Sequence, residues 1–307
     1  MYRGVSPVLH RYGSVAVELA RRLAAHRVGD RLASVGELAA EFGTGRGTVQ
    51  AAMKLLIDEG AVELERRGSL GSYISRLDYP KLMALAGLET VVGVMPVAYS
   101  LHFAGLATGL TRIFAGAGVP LVLAQVRGGR SRIQLLRSGR CDFAIASRMA
   151  FEAEAEAGDL QLVLSFGPGT SVGEHVLLVR EDANGITDGM RIGVDPASHD
   201  HMRLALDECR GKAVEMVEIS YAQAASLLLS RQIDATVWDG GAPLLAPGLK
   251  RLPLRSQTGR TAADTEAVLL TRARDASLAA ILRARIRPEA VVAIQRRVLA
   301  GEELPSF

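Results

Sequence analysis

The stretch SVGELAAEFGTGRGTVQAAMKLLIDEG, residues 34–60, decides how the chain begins to fold. Ser34 precedes an amphipathic run and Glu37 follows three positions later, which is the spacing of a capping box at a helix start. Gly43 stands where a turn between helices needs a positive φ, which glycine adopts at little cost. Two helices are therefore predicted. Apolar residues recur at helical spacing in both, at Leu38, Phe42, Val49, Met53 and Leu56.

A short helix, a glycine turn and a second amphipathic helix are typical of a helix-turn-helix, whose second helix lies in a DNA major groove. Ala39 is small where the two helices must approach closely, and Val49 is placed to fill the core beneath the second helix. An ordinary helical hairpin is the alternative. The spacing of Ala39, Gly43 and Val49 favours DNA binding.

The flanking segments complete a winged helix. An amphipathic helix is predicted over 15–26, before the helix-turn-helix. After Gly60, AVELE alternates apolar and charged residues as a half-exposed strand does, RRGSLGS supplies a glycine-rich turn, and SYIS returns as a second strand. We therefore expect a winged helix-turn-helix domain over residues 1–75.

Polar and cationic side chains on the second helix and the hairpin tip are the predicted DNA contacts. A charged hairpin tip is also common in proteins that do not bind DNA. The formal net charge is only +3, so the motif rather than the charge indicates operator DNA as the partner. The predicted contacts are Ser34, Arg46, Thr48, Gln50, Lys54, Arg66 and Arg67.

The composition limits the remaining possibilities. With 307 residues, 49% hydrophobic and 22% charged, the chain is expected to form two or three soluble domains. No run reaches the roughly 18 apolar residues of a membrane span, and the first residues lack the apolar core of a signal peptide. Cys141 and Cys209 lie far apart, which fits a reducing compartment without structural zinc. A cytoplasmic protein is expected.

Strands and helices alternate over residues 90–307, after a segment at 76–89 that has the pattern of a linker with a short helix. Apolar strands separated by helices predict parallel sheets covered on both faces. Two such series predict an α/β domain of two lobes around a cleft, with the second lobe at about 180–255. The strand at 265–270 is expected to return to the first lobe. The predicted strands lie at 91–95, 120–126, 142–147, 161–166, 174–179, 191–195, 214–219, 234–239 and 265–270.

Loops at the carboxyl ends of these strands lead into helix N-termini, where ligands bind in α/β folds and where unpaired N–H groups favour an anion. A small anionic effector is expected there. Ordinary helix capping is the alternative for the serines, and Trp238 could fill the core beside the cleft. The predicted ligand-binding residues are Tyr99, Ser100, Ser147, Thr170, Ser171, Asp195, Ser198, His199 and Trp238.

The sequence contains fragments of catalytic and metal-binding motifs, but the residues around them do not have the secondary structure or spacing that these motifs require. GTSVG at 169–173 matches G-x-S-x-G, but a strand-like segment follows where a nucleophile elbow needs a helix. His199, Asp200 and His201 are too close in sequence for recognisable metal spacing. The chain also has no P-loop and no dinucleotide fingerprint. No enzymatic activity, cofactor or metal site is therefore expected.

The pattern GD-x-L-x-S-x-x-ELA-x-x-F-G-x-x-R-x-TV, from Gly29 to Val49, resembles the GntR-type winged helix. The chain as a whole resembles the YhfZ-type regulators, through RRGSLGSYI (66–74), MPVAYSLHFAGLATGL (95–110) and CDFAIASRMAF (141–151). This resemblance implies a winged helix followed by lobes similar to type 2 periplasmic binding proteins. It also implies transcription regulation by a small effector bound between the lobes, and a homodimer on a twofold operator.

Three positions depart from the GntR pattern. Gly36, Gly45 and Gln50 stand where that pattern has Arg, Ser and Arg, whereas Arg46 is kept. With two cationic contacts fewer, the resemblance implies an atypical operator and weaker non-specific binding with a shallower salt dependence. Gln50 could still recognise an adenine edge.

Three other functions compete with a ligand-responsive regulator. The lobes could form an enzyme, but the sequence offers no arranged nucleophile and base. A transport binding protein is disfavoured by the N-terminal DNA-binding motif. The lobes could also have lost ligand binding and serve only dimerisation.

Overall fold

The structure is a computed structural model that describes residues 11–242, 247–255 and 265–307. The described chain forms two compact units. The first unit comprises the described part of Met1–Val92 together with Arg112–Val122 and Ala273–Arg287. The second comprises Gly93–Thr111, the described part of Leu123–Arg272, and Pro288–Phe307.

Helices and strands follow one another closely along the chain. The described helices are α1 (Arg11–Ala24), α2 (Val35–Glu41), α3 (Arg46–Asp58), α4 (Tyr79–Leu85), α5 (Leu101–Gly116), α6 (Gly129–Arg137), α7 (Arg148–Glu154), α8 (His199–Glu208), α9 (Ala224–Leu229), α10 (Ala276–Arg285) and α11 (Pro288–Leu299). The described strands are β1 (Val62–Arg66), β2 (Ser72–Leu77), β3 (Val91–Met95), β4 (Leu121–Gln125), β5 (Phe143–Ser147), β6 (Leu160–Ser165), β7 (His175–Arg180), β8 (Arg191–Val194), β9 (Glu215–Glu218), β10 (Ala235–Asp239), β11 (Leu249–Pro253) and β12 (Ala267–Arg272).

The winged helix-turn-helix is present in the first unit, as predicted. The capping box begins α2: the Ser34 Oγ accepts a hydrogen bond from the Glu37 N–H at 3.2 Å, and the Ser34 N–H donates to the Glu37 carboxylate at 2.7 Å. Gly43 has a φ of 59° in the turn between α2 and α3. Leu38 and Val49 are fully buried between the helices. The antiparallel strands β1 and β2 form the wing.

Two further helices belong to the first unit. The segment at 76–89, for which the sequence predicts a linker, contains α4, which packs against α1 with Leu82 fully buried. From the far end of the chain, α10 also packs against α1. The Arg285 guanidinium lies 3.5 Å from the centre of the Tyr79 ring and donates to the Ala24 carbonyl at 2.9 Å. The first unit is therefore larger than a winged helix alone.

Two sheets of five described strands each form the lobes of the two-lobed domain. The first lobe has the strand order β4-β3-β5-β12-β6, and the second has β11-β7-β10-β8-β9. Because β7 at 175–180 lies in the second sheet, that lobe begins before residue 180. The return of the chain to the first lobe through β12 is confirmed. The predicted fold class, a winged helix followed by a two-lobed α/β domain, is confirmed.

The prediction of parallel sheets is wrong for part of each lobe. The pairs β3–β5, β8–β9 and β8–β10 are parallel, but β12 runs antiparallel to β5 and β6, and β7 runs antiparallel to β10 and β11. A parallel neighbour needs a crossover connection, usually a helix. The strands β7 and β12 instead arrive from the other lobe, so they enter their sheets in the opposite direction.

Helices α5 and α11 pack closely against each other at the backbone of the second unit. A Cβ atom at Gly109 in α5 would lie 2.7 Å from the Val291 carbonyl oxygen in α11, so only glycine permits this approach.

Within the described ranges, no helix combines the length and the apolar character needed to cross a membrane.

Gly93 in β3 faces Phe143 in β5, and a Cβ atom at Gly93 would lie 2.1 Å from the Phe143 ring. Because Phe143 is fully buried, Gly93→Ala should overpack the first lobe and lower the free energy of unfolding by roughly 1–3 kcal/mol. Urea unfolding measures the change. Gly116→Ala is the control, since its Cβ would meet no atom within 4 Å. Equal stability of the two variants would contradict the packing at Gly93.

Candidate functional site

A cavity of about 120 Å³ lies in the cleft between the two lobes of the second unit. Its lining comes from the carboxyl ends of strands in both sheets, where α/β folds place their ligands. The first lobe contributes Tyr99 after β3, Arg127 after β4 and Ser147 at the end of β5. The second contributes Asp195 after β8 and Asp239 at the end of β10.

Arg132 is the buried cation of the cleft. It lies on α6, is 7% exposed, and lines the cavity. Its Nε donates to the Ile145 carbonyl at 2.8 Å and its Nη1 to the Val126 carbonyl at 2.9 Å. Burial lowers the pKa of Arg132 to about 10, so the guanidinium stays charged at neutral pH. Two carbonyls fix this charge, and the Asp200 carboxylate, which lines the same cavity, acts to raise the pKa of Arg132. An anionic ligand group would share the guanidinium with that carboxylate.

Asp195 and His201 hold the ends of the second-lobe strands together. The Asp195 carboxylate accepts from the N–H groups of Ala197 at 3.0 Å and Tyr221 at 3.3 Å. The His201 Nδ1 accepts from the Asp195 N–H at 3.1 Å, and its Nε2 donates to the Val237 carbonyl at 2.9 Å. These bonds fix the neutral Nε2–H tautomer. His201 therefore organises the backbone around the cleft.

An aromatic stack forms one wall of the cavity. The rings of Tyr221 and Trp238 lie parallel, with centres 4.4 Å apart, and Tyr99 from the first lobe approaches Tyr221 at 5.6 Å. Burial raises the pKa of the Tyr221 phenol far above its usual value, so this hydroxyl stays neutral. The Trp238 Nε1 is buried and has no hydrogen-bond partner among the described residues.

Asp239 brings a second unsatisfied group to the cavity. It is 5% exposed, and its Oδ1 accepts from the Gly241 N–H at 2.8 Å. Its Oδ2 is buried without a hydrogen-bond partner in the described part of the chain. A buried carboxylate oxygen in this position is costly unless a donor reaches it.

The two lobes touch across the cleft through the loop and helix start at 195–200. The Ser147 Oγ donates to the Asp200 carboxylate at 2.8 Å, and the Arg130 N–H donates to the Ala197 carbonyl at 3.3 Å. The His199 Nε2 lies 2.9 Å from the Glu154 carboxylate. The cleft is therefore closed around its cavity.

Six of the nine predicted ligand-binding residues line the cavity, namely Tyr99, Ser147, Ser171, Asp195, Ser198 and Trp238. The other three lie elsewhere. Ser100 is buried beside the cavity, and the Thr170 Oγ1 is used within the protein, donating to the Gly167 carbonyl at 2.6 Å. The His199 side chain points to Glu154. Burial acts to raise the pKa of Glu154, but hydrogen bonds from Arg137 and His199 lower it below its usual value.

The prediction of the ligand-binding set omits several of the polar groups that line the cavity. It lacks Arg127, Arg132, Asp200 and Asp239, together with Tyr221. Arg127 directly follows a predicted strand, Asp239 ends one, and Tyr221 comes two residues after one, so strand-end position could have found these three. Arg132 lies inside α6, where an arginine usually marks a solvated helix face.

The sequence singled out one motif typical of a catalytic serine and one histidine-rich segment, and the structure gives the surroundings of the serine. Ser171 lies in the connection between β6 and β7, and a strand follows it instead of the helix that a nucleophile elbow requires. In the described ranges, no three His, Cys, Asp or Glu side chains are grouped to hold a metal ion.

The predicted DNA contacts lie on or near α3 and the wing. Ser34, Gln50, Lys54 and Arg66 line one groove between these elements. Thr48 is half-buried near the start of α3. Arg46 is exposed at the first position of α3, with its guanidinium beside Gly36: a Cβ atom at Gly36 would lie 3.4 Å from the Arg46 Nη2.

Some of these cations already have partners. Lys54 pairs with Asp58 at 2.8 Å on the exposed face of α3. Arg67 pairs with Glu65 at 2.8 Å and lies 4.5 Å from the centre of the Tyr73 ring. Such exposed pairs contribute little to stability, so DNA phosphates can displace them at small cost.

Comparisons with known proteins cover both units. Residues 78–307 match the family model described as the YhfZ C-terminal domain, and residues 27–74 match a model described as a helix-turn-helix domain. The protein YhfZ of Escherichia coli (strain K12) is 36% identical over 297 residues, which is 96% of this chain and 97% of that protein.

Solved structures agree with the fold. The crystal structure of YhfZ from Shigella flexneri is similar to 71% of this chain and 93% of its own, with a TM-score of 0.60 and 35% identity. An ancestral arginine-binding protein, solved bound to arginine, matches 69% of this chain and 97% of its own, with a TM-score of 0.51. At 14% identity this second likeness concerns the fold alone. The lobes thus have the expected fold of a periplasmic binding protein.

The buried imidazole of His201 makes stability depend on pH. Burial lowers its pKa to about 4, whereas an unfolded histidine titrates near 6.5, so the unfolded chain takes up the proton first as pH falls. Protonation of His201 in the unfolded chain should therefore lower the free energy of unfolding by about 2 kcal/mol when the pH falls from 7 to 5. Urea unfolding, followed by the fluorescence of the single tryptophan, Trp238, measures the loss at both pH values.

His201→Gln should remove this part of the pH dependence, and the control His26→Gln should keep it. An unchanged pH dependence in His201→Gln would show that the imidazole is not buried in its neutral form.

Proposed function

The chain belongs to the YhfZ family, and on that premise we propose that it is a transcription regulator that binds operator DNA as a homodimer and responds to a small effector held between its lobes. The helix-turn-helix and the family make it a DNA-binding regulator. The dimer, the effector and the way in which the two are coupled are the proposed part. The observation that carries the effector is the closed cleft with the buried guanidinium of Arg132.

The exposed face of α3 supports the DNA-binding surface. Arg46, Gln50 and Lys54 follow one another at helical spacing and are all exposed, while Val49 and Met53 are buried behind them. Arg46 stands at the first turn of α3, the part of a recognition helix that reaches base edges. Arg66, from the wing, lines the same groove as Gln50 and adds a cation for the phosphates.

The contacts across the cleft support an effector that acts by closing the lobes. The bonds Ser147–Asp200 and Arg130–Ala197 join the first lobe to the start of α8. A ligand that touches both lobes adds its own contacts only when the lobes are closed. Because coupling requires only a different affinity for two states, about 1–3 kcal/mol of such contacts are sufficient.

The chain itself offers a route from the cleft to the DNA-binding surface. Strand β12 lies in the first lobe beside β5, and α10 begins four residues after β12 ends. Within the first unit α10 packs against α1, where Ser277 donates to Glu18 at 2.6 Å. Helix α1 in turn packs against α3. A shift of β12 is therefore passed by direct chain continuity to a helix that supports the recognition helix.

Two alternatives have observable consequences. If the lobes serve only dimerisation, no ligand should raise the melting temperature in a screen of small anions, phosphorylated compounds and amino acids. If the lobes form an enzyme, a cleft ligand should be consumed, and changing Tyr99 or Ser171 should abolish its turnover. A ligand that stabilises the protein, is not consumed and changes DNA affinity supports the regulator.

Arg46→Ala should weaken DNA binding about tenfold or more, because it removes an exposed cation at the start of the recognition helix. The probe is a duplex selected from a random pool by the wild-type protein, and gel-shift titrations at matched salt give the dissociation constants. The melting temperature should stay unchanged.

Arg210→Ala is the matched control, since its side chain is 82% exposed in the second lobe. It should bind the duplex like the wild type. Undiminished affinity of Arg46→Ala, or equal losses in both variants, would contradict a DNA-binding surface at the start of α3.

A further inference from the structure

We propose that the effector is a small zwitterion of the α-amino acid class, with its carboxylate on Arg132 of the first lobe and its ammonium group on Asp239 of the second. The inference rests on the proposed function and narrows it, because a purely anionic effector would use only the first of these contacts.

The charges around the cavity do not suit a simple anion. Apart from two histidines, His175 and His201, the described lining has two positively charged side chains, Arg127 and Arg132, and three carboxylates, Asp195, Asp200 and Asp239. His201 adds no charge at neutral pH, because its pKa lies well below neutrality. The lining thus has a net negative formal charge, and a ligand that brings a cationic group is favoured over an anion without one.

Asp239 is the carboxylate that lacks a partner within the protein. Asp195 accepts two backbone N–H groups and has the Arg127 guanidinium at 3.7 Å. Asp200 accepts from the Ser147 hydroxyl. Asp239, by contrast, leaves its Oδ2 buried and without a hydrogen bond to any described residue, and no ion pair to it is formed in the described part of the chain.

The neighbouring imidazole does not neutralise Asp239. The Asp239 charge acts to raise the pKa of His102, but burial has the larger effect and lowers that pKa below its usual value. His102 is therefore neutral at pH 7. An ammonium group from a ligand supplies both the missing charge and the missing donor, and such charge-assisted bonds are among the strongest in proteins.

Arg132 provides the opposite pole. Its Nε and Nη1 donate to the carbonyls of Ile145 in β5 and of Val126 just after β4, so the guanidinium is fixed in place before any ligand arrives. Because the cation is buried, an anion that reaches it gains more than it would at the surface. A planar carboxylate suits the fork of the guanidinium.

The Arg132 guanidinium and the Asp239 carboxylate lie on different lobes, so a ligand that binds both holds the two lobes closed. Arg132 lies on α6 of the first lobe, and Asp239 ends β10 of the second. A molecule that carries only one charge is held by one lobe. A zwitterion joins both, and the cavity of about 120 Å³ restricts it to a small molecule, since drug-sized ligands occupy pockets of roughly 300 Å³ or more.

Thermal unfolding of the full-length protein tests the proposal. The twenty common L-amino acids are added one at a time at 5–10 mM, beside analogues that keep one pole: the α-hydroxy acids, which lack the ammonium group, and the decarboxylated amines. One or a few amino acids should raise the melting temperature, and their one-pole analogues should raise it at least tenfold less effectively by concentration.

Asp239→Asn separates a ligand contact from a structural role. The asparagine keeps the acceptor for the Gly241 N–H but removes the unpaired charge, so the unliganded variant should be as stable as the wild type or more stable. Its response to the amino acid should be lost. Asp188→Asn is the matched control, because the Asp188 carboxylate also accepts a backbone N–H, from Ala213 at 3.0 Å. This control should respond like the wild type.

The outcomes distinguish this inference from the proposed function. Stabilisation by anions without an amino group, unchanged in Asp239→Asn, would overturn the zwitterion and leave a ligand-responsive regulator. Failure of all these compounds to stabilise the wild type would overturn the zwitterion, and failure also of the wider screen of small anions and phosphorylated compounds would overturn the effector. An Asp239→Asn variant that responds to the amino acid like the wild type would overturn the role of Asp239 and with it the inference.

Discussion

The carboxyl ends of strands from two sheets meet at one enclosed cleft, and the polar groups gathered there must find partners with little help from water. Several of them do. His201 accepts a hydrogen bond from the Asp195 N–H and donates one to the Val237 carbonyl, and Arg132 donates to two carbonyls of the first lobe. Unpaired buried groups cost free energy, so this network fixes the loops of both lobes in one arrangement. The Asp239 Oδ2 and the Trp238 Nε1 are among the buried side-chain atoms that have no hydrogen-bond partner in the described part of the chain.

The need to pair buried polar groups also explains why each lobe contributes a different charged group to the cleft. The first lobe presents a cation that its own backbone holds rigid, and the second presents a carboxylate at the end of β10. The Asp200 carboxylate acts to raise the pKa of Arg132, whereas the Asp239 Oδ2 has no hydrogen-bond partner among the described residues. A ligand with complementary charges therefore gains most from the closed form, which is the differential affinity that any effector needs.

Helices that lie far apart in the sequence support the winged helix within the first unit. Helices from opposite ends of the sequence, α4 and α10, pack on α1, and Arg285 ties α10 to the Ala24 carbonyl and the Tyr79 ring. A winged helix supported in this way has a recognition helix whose position depends on residues far along the chain.

The sequence by itself determined the local elements, because their signals lie within a few residues of each other. The Ser34–Glu37 capping box, the Gly43 turn and the alternating strands of the wing could all be predicted, and so could the two-lobed domain. The DNA-contact and ligand-contact residues remain predictions. Only the tertiary structure decided the antiparallel direction of β7 and β12, the packing of α10 on α1, the pairing of His199 with Glu154, and the placement of Arg132 and Asp239 in one cleft. Each of these joins positions tens to hundreds of residues apart, and hydrophobic periodicity carries information about neighbours on one element, not about which distant element they meet.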